Sequence, residues 1–489
     1  MRKEIFRMDH VLYAENGQTH LNDLSMQIFQ GEIYGMLRLE RHGGAELFKL
    51  IALNEPIRNG HVFFQDQLVN SPGPHPVTQN KVAIIDSTSR LINSLSLADN
   101  LFVIRPGFRK FYVRERELQA QTEQLFQQYD IRLPQQMLAG QLKNYDRLVM
   151  ELLRAMTAGE LLVVLIDIPD LLGSEELAAF HQLLKRLAQN GMTFLYVYNH
   201  HEALRKICDR IAVFKKGRIE KVVDRSSDLN QHIRVLAKPA YEALLRLGQA
   251  DSESKRPRGK PVLRLENICR GGLDYFSLEI CSGETLLLID RSNTVLDDLM
   301  GLFEDLKQRV PVPGVVACGK ELSDLRLGLL DRLPSRTGLF PDMSVLDNLC
   351  FALGEKVPRI WRKQRLLNSV AKEYRPELGD LLDEQQLYDL HTQDLYTLAY
   401  YQYLIAKADL VVCLQPISGL DMYLRPHTLR LISKLRSSGI PVLLLSTDLY
   451  DTLYVADRVL WVDGGKIALA KTPDEFHELR LLQEDLFPD

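Results

Sequence analysis

The chain carries one pattern twice. Ser96-Leu-Ala-Asp-Asn-Leu-Phe102 returns as Ser344-Val-Leu-Asp-Asn-Leu349, a spacing of 344 − 96 = 248 positions. The same spacing relates Cys208-Asp209-Arg210 to Ala456-Asp457-Arg458, and Gly217-Arg218-Ile219 to Gly465-Lys466-Ile467. Gly31-Glu32 and Gly283-Glu284 stand 283 − 31 = 252 apart. A self-similarity of this length is one ordinary domain duplicated. The 489 residues therefore divide into copies at 1–245 and 261–489, with 246–260 between them. Residues 251–260 are polar and lack apolar periodicity, as linkers do.

Each copy repeats a coarse order of elements: an opening strand and Gly-Glu turn, a middle of helical periodicity, then two buried strands flanking a helix. Residues 161–166 (Leu-Leu-Val-Val-Leu-Ile) and 410–414 (Leu-Val-Val-Cys-Leu) are continuous apolar runs of strand length, the mark of strands covered on both faces. Residues 194–198 and 442–446 supply the next strand of each copy. Strand, helix, strand predicts an α/β fold with a parallel sheet in each half. With 46% hydrophobic and 25% charged residues the composition is that of a globular protein. A formal net charge of −4 provides no overall attraction to nucleic acid or anionic lipid. The six cysteines form no CxxC pair and stand near no histidine cluster, so they read as reduced core residues and predict no metal site. No signal-like segment opens the sequence, and its most apolar run is too short to span a bilayer, so a cytoplasmic location is expected.

The second half is specific enough to suggest a family. Arg336-Thr-Gly-Leu339 followed by Met343-Ser-Val-Leu-Asp-Asn348, and later Ser446-Thr447-Asp448 and Ala456-Asp457-Arg458, resemble segments of the tandem ABC-type ATPase subunits of ribose- and galactoside-type sugar importers. The order of landmarks is similar along essentially the whole chain. The resemblance implies two nucleotide-binding cassettes, each a P-loop NTPase-like parallel-sheet core with a helical subdomain. It implies ATP and Mg²⁺ as cofactors, and sugar-permease subunits and, indirectly, a sugar-binding protein as partners. It also places the chain on the inner face of the cell membrane.

The chemistry of that family is replaced position by position. A phosphate loop needs glycines for close backbone approach, a lysine for the β/γ-phosphates and a hydroxyl for Mg²⁺. The first loop has Arg38 for the first glycine, keeps Gly43, and carries Gly44 for lysine and Ala45 for the hydroxyl. The second, from Asp290 to Asp297, keeps no glycine and puts Leu296 at the basic position; Asp290 and Asp297 are expected to repel phosphate. At the Walker B strand ends, Asp167 retains the metal-side carboxylate, Ile168 replaces the general base, and Gln415-Pro416 has lost both charges. The signature positions read Leu142-Lys-Asn-Tyr-Asp146 and Leu390-His-Thr-Gln-Asp394, without the paired glycines. Ser87 stands at the Q-loop glutamine and Asn199 at the switch histidine.

The expected site is accordingly vestigial. Tyr13, at the adenine-stacking place, Gly43, Gly44 and Asp167 are its remaining cofactor-binding positions, and no catalytic or metal-ligating residue is assigned. Each has a plain structural reading: Tyr13 as a half-buried strand residue, Gly43 and Gly44 as a tight strand-to-helix turn, Asp167 as a helix cap. Two basic, aromatic stretches, residues 105–112 and 358–363, lie where the family's helical subdomain meets the permease. The chain is thus expected to be an inactive or impaired cassette subunit docked on permeases, or a cytoplasmic scaffold bound to a regulatory protein.

Overall fold

The computed structural model describes residues 3–471, apart from 16, 41, 74–75, 104–114, 225–234, 237, 254–258, 354–363, 389, 448 and 450. The basic stretches 105–112 and 358–363 therefore lie outside the described residues. Two compact units form, Met1–Ile233 and Arg234–Asp489.

In the first unit, β1 (Glu4–Glu15), β2 (Gln18–Phe29), β4 (Asn59–Phe64) and β5 (Gln67–Asn70) make an antiparallel sheet ordered β2-β1-β4-β5. The other sheet runs β10-β9-β3-β8-β7-β6, from β3 (Ile33–Arg38), β6 (Val82–Ile85), β7 (Leu162–Ile166), β8 (Thr193–Tyr198), β9 (Arg210–Lys215) and β10 (Arg218–Asp224). All its pairings are parallel except β9 with β10. Helices α1 (Gly44–Ala52), α2 (Leu97–Phe102), α3 (Glu115–Gln128), α4 (Asn144–Thr157), α5 (Ser174–Gln189) and α6 (His201–Ile207) complete the unit. β3 and β8 are buried along their whole length, as continuous apolar sequence requires. The core between the two sheets encloses α1 through Leu47, Leu50 and Ile51.

The second unit opens with α7 (Lys238–Glu253), so a helix runs into the segment that reads as linker from its polar composition. Ala240 and Leu244 are buried and Leu247 packs beside Leu244, a stripe at helical spacing that ends before the polar residues begin. The rest repeats the first unit. β11 (Pro261–Arg270), β12 (Leu273–Cys281) and β14 (Val315–Ala317) form an antiparallel sheet ordered β12-β11-β14. β13 (Thr285–Asp290), β15 (Leu327–Leu330), β16 (Leu410–Leu414), β17 (Val442–Ser446), β18 (Arg458–Asp463) and β19 (Lys466–Lys471) run β15-β16-β17-β13-β18-β19, the strand order of the first unit. The helices are α8 (Leu296–Lys307), α9 (Val345–Phe351), α10 (Gln364–Leu378), α11 (Thr392–Ala406) and α12 (Leu424–Ser437).

The repeated motifs hold the fold. Ser96 and Ser344 cap α2 and α9, each hydroxyl accepting the amide of the aspartate three residues on at 3.1 Å. Asn100 and Asn348, both fully buried, bond the preceding loop through the carbonyls of Ile92 and Phe340. The Gly-Glu and Asp-Arg repeats form one interlock. Asp209 accepts the amide of Ile33 and Arg210 pairs with Glu32 at 2.6 Å; Asp457 accepts the amide of Thr285 and Arg458 pairs with Glu284 at 3.1 Å. Of the cysteines, Cys208, Cys281 and Cys413 are core residues, whereas Cys269 is exposed because it falls near the tip of the β11-β12 hairpin.

Candidate functional site

β3 delivers the first loop to the start of α1. Gly43 takes a left-handed conformation (φ +76°), and a Cβ there would lie 2.3 Å from the carbonyl oxygen of His20. This position therefore requires glycine to pass under the β1-β2 hairpin. The N-cap residue, Gly43, has no side chain with which to cap α1. Arg38, the last residue of β3, is only 8% exposed and runs past Gly44, its Cδ 3.5 Å from where a Cβ on Gly44 would stand. Its Nη2 donates to both oxygens of Asp167, at 2.8 and 3.2 Å.

Asp167 itself sits left-handed (φ +53°) after β7 and does not cap the short turn that follows. The capping expectation is thus corrected: the carboxylate turns toward Arg38 because a buried guanidinium needs an acceptor more than a one-turn helix needs a cap. Both oxygens of the carboxylate that would hold Mg²⁺ are already engaged by a guanidinium. Ala45 offers no hydroxyl and the adjacent Ile168 is buried. The first-unit residues do not fit a Mg²⁺-bound nucleotide.

Tyr13 makes its polar contacts with other residues. It is buried in β1 with its hydroxyl donating to Glu55 at 2.9 Å, and Lys49 at the far end of α1 pairs with the same Glu55. Burial, then the Glu55 bond, pushes the phenol up to about 12. The structure brings together Arg38, Gly44 and Asp167, with Gly43 at the turn against His20, whose ring centroid stands 6.3 Å from that of Tyr13. Tyr145 lies half-buried in the first turn of α4, at the signature position.

The second loop is closed differently. Asp290, at the end of β13, is fully buried, and its carboxylate curls onto its own loop. It accepts the amides of Ser292 (3.1 Å), Thr294 (2.6 Å) and Val295 (2.7 Å) and the Ser292 hydroxyl (2.7 Å). These amides lead into α8 and are the groups on which a phosphate would rest. Sequence reasoning made Asp290 a repulsive group; the structure makes it the occupant. The Asp-x-Ser pattern is the local signal, since such aspartates bond the backbone two residues on. Gln415, at the Walker B end of β16, accepts from Arg332 Nε at 2.7 Å, and Arg332 Nη2 reaches Asp297 at 3.2 Å. Arg332, two residues past β15 as Ser87 is two past β6, was not legible as a site residue because its partner is 83 positions away. Leu296 is buried, and the second loop likewise does not fit a nucleotide. Among the described residues no group of three or more His, Cys, Asp or Glu side chains could hold a metal ion.

The sheet order, the strand-to-helix loops at β3-α1 and β13-α8 and the corresponding ends of β7 and β16 define two ABC-type nucleotide-binding cassettes in tandem. Along nearly its whole length the chain resembles the ATP-binding subunits of ribose- and galactoside-type importers. It is 23% identical over 477 residues to a protein of Pseudomonas savastanoi pv. phaseolicola designated a ribose/galactose/methyl galactoside import ATP-binding protein, covering 95% of this chain and 90% of that one. It is 20% identical over 484 residues to the ribose import ATP-binding protein RbsA of Yersinia pestis, covering 95% and 92%. The solved RNase-L inhibitor superposes with a TM-score of 0.55 at 15% identity, over 98% of this chain and 92% of that structure, and supports the fold alone. No family model matches the sequence.

Proposed function

We propose that this chain is a cassette subunit of a sugar importer that docks on permease subunits at the inner face of the membrane and does not turn over ATP. The observation that carries the reading is that Arg38 holds the carboxylate of Asp167 in one cassette and Asp290 takes up the amides of its own loop in the other. Without a metal-binding hydroxyl or a general base, no residue is left to bring a water onto the γ-phosphate.

The permease role rests on the likeness to import ATP-binding proteins, supported by an apolar surface beside α9. Phe340 and Phe351 are exposed with ring centroids 4.5 Å apart, and Tyr388, also exposed, bonds Asp342 next to them. Ile92, at the matching position of the first unit (340 − 248 = 92), is exposed as well. Exposed aromatics in contact mark a docking face rather than a solvated one. Among the described residues no helix is long and apolar enough to cross a membrane, so the association would be peripheral. The test is phosphate release by the purified chain in millimolar Mg-ATP, with capture of permease subunits from detergent extract in parallel. No release, with capture lost in Phe351→Asp, is expected; steady turnover sinks the inactive reading, and failure to capture sinks the transport reading.

A further inference from the structure

The docking faces of the two units share a backbone and differ in the side chains they present. Asn100 accepts the amide of Ile92 at 2.8 Å and donates to its carbonyl at 3.1 Å; Asn348 holds Phe340 in the same way, at 2.8 and 3.0 Å. The amide of Leu97 donates to the Met137 carbonyl as that of Val345 does to Glu384, and the amide of Gly140 donates to the Asn93 carbonyl as that of Leu387 does to Pro341. Each position on one face therefore has a counterpart on the other. The second unit presents three rings, Phe340, Phe351 and Tyr388, which are 43%, 55% and 63% exposed. Their counterparts are Ile92, Val103 (351 − 248 = 103) and Gln141, the residue after Gly140.

Charge separates the faces as well. Among the described side chains the second face carries Asp342 and Glu384, both exposed, where the first has Ser94 and Met137. The first carries Arg90, exposed, where the second has Gly338, and its Arg147 reaches the same loop through Asn93 at 3.0 Å where the second has Leu395. One face is aromatic and negative, the other aliphatic and positive. A docking segment that brings a cation to Asp342 meets Arg90 on the other face, and like charges set against each other exclude a wrong partner. A segment hollowed to receive three rings leaves a gap over Ile92 and Val103, and an unfilled gap forfeits its contacts.

We propose that the two units dock on two different permease polypeptides, the second unit on a basic segment with small apolar residues and the first on an acidic segment with bulkier ones. The membrane part of the importer is then a pair of unlike subunits, and the chain seats on it in one orientation only. The inference rests on the reading of the chain as a permease-docking subunit.

The test is photo-crosslinking in the membranes of the chain's own cells, with Phe351→benzoylphenylalanine in one full-length chain and Ile92→benzoylphenylalanine in another. The crosslinked membrane polypeptides are identified by mass spectrometry. Both positions are exposed, and Tyr388 provides another on the second face should the first variant accumulate poorly. Two different polypeptides, one from each position, are expected. Adding Asp342→Lys should cut the yield at position 351 roughly tenfold, the effect of turning an attraction into a repulsion, and leave the yield at position 92 unchanged. The same polypeptide from both positions, or a yield at 351 that Asp342→Lys does not alter, overturns the proposal. Failure to crosslink any membrane polypeptide from either position sinks the docking reading on which it rests.

Discussion

Replacing Asp290 by alanine should loosen the second unit and open its loop to anions. Four donors lose their acceptor, but Ser292 and Thr294 are exposed residues, so water takes over part of what the carboxylate provided. The amide of Val295, a buried residue, is left unsatisfied, at about 1–3 kcal/mol, with a fraction more from Thr294. Relief from burying a carboxylate works the other way. The net loss is about 1–3 kcal/mol, which for a unit of this size lowers the melting midpoint by roughly 3–10 °C. The assay is selective because both tryptophans, Trp361 and Trp461, fall in Arg234–Asp489, so their fluorescence follows this unit alone. Trp461 pairs with Ile289, the residue before Asp290. Phosphate at about twenty times its Kd should return about 1.8 kcal/mol to the variant and leave the wild-type tryptophan transition unmoved. A variant that melts within about 1 °C of wild type, or a wild-type transition that phosphate raises equally, would refute the account of Asp290 as the loop's own anion.

Two further effects follow from the first unit. Gly43→Ala forces a Cβ to 2.3 Å from the His20 carbonyl at φ +76°, and should cost about 1–3 kcal/mol, read as a lower urea midpoint in the far-ultraviolet transition; an unchanged midpoint would show that the turn relaxes freely. His181 is buried against Tyr196, its ring nitrogen 3.0 Å from the hydroxyl, and burial, with help from Lys185 and Lys206, lowers its pKa to about 4. The unfolded chain takes up this proton near 6.5 and the folded chain only near 4. Stability is therefore complete above pH 6.5 and falls between 6.5 and 4, by up to about 3 kcal/mol. His181→Gln should flatten that slope in melts between pH 7 and 5; an equal slope in both proteins would assign the acid lability elsewhere.

Much of the fold could be read directly because the residues that build it act locally. Continuous apolar runs marked β7 and β16, and the duplicated Ser-x-x-Asp-Asn, Gly-Glu and Asp-Arg pieces turned out to be caps and one strand-locking ion pair. The residue types at the loops were legible for a related reason: a loop without lysine or hydroxyl lacks those groups in any conformation. Where reasoning stopped short, distance in sequence or local context was responsible. The apolar stripe of Ala240, Leu244 and Leu247 belongs to a helix packed in the second unit, which the polar residues after it concealed. Tyr13 looked half-exposed on a strand, but Glu55 and Lys49 arrive from the end of α1 to hold it.

By itself, then, the sequence determined that this is a duplicated α/β chain of the cassette class whose loops lack the family's lysine and hydroxyl, because periodicity and residue type are properties of short segments. Only the tertiary structure decided what stands in their place. Arg38 meets Asp167 across 129 positions and Arg332 meets Gln415 across 83, because parallel strands of one sheet end at the same edge: β15 and β16 are neighbours, and β3 and β7 are separated by β8 alone. Asp290, expected to repel phosphate, turns inward onto the amides of its own loop. Charge at a loop can be read from its residues, but whether it repels a ligand, replaces one or awaits one depends on which donors and acceptors the folded chain brings within 3 Å of it.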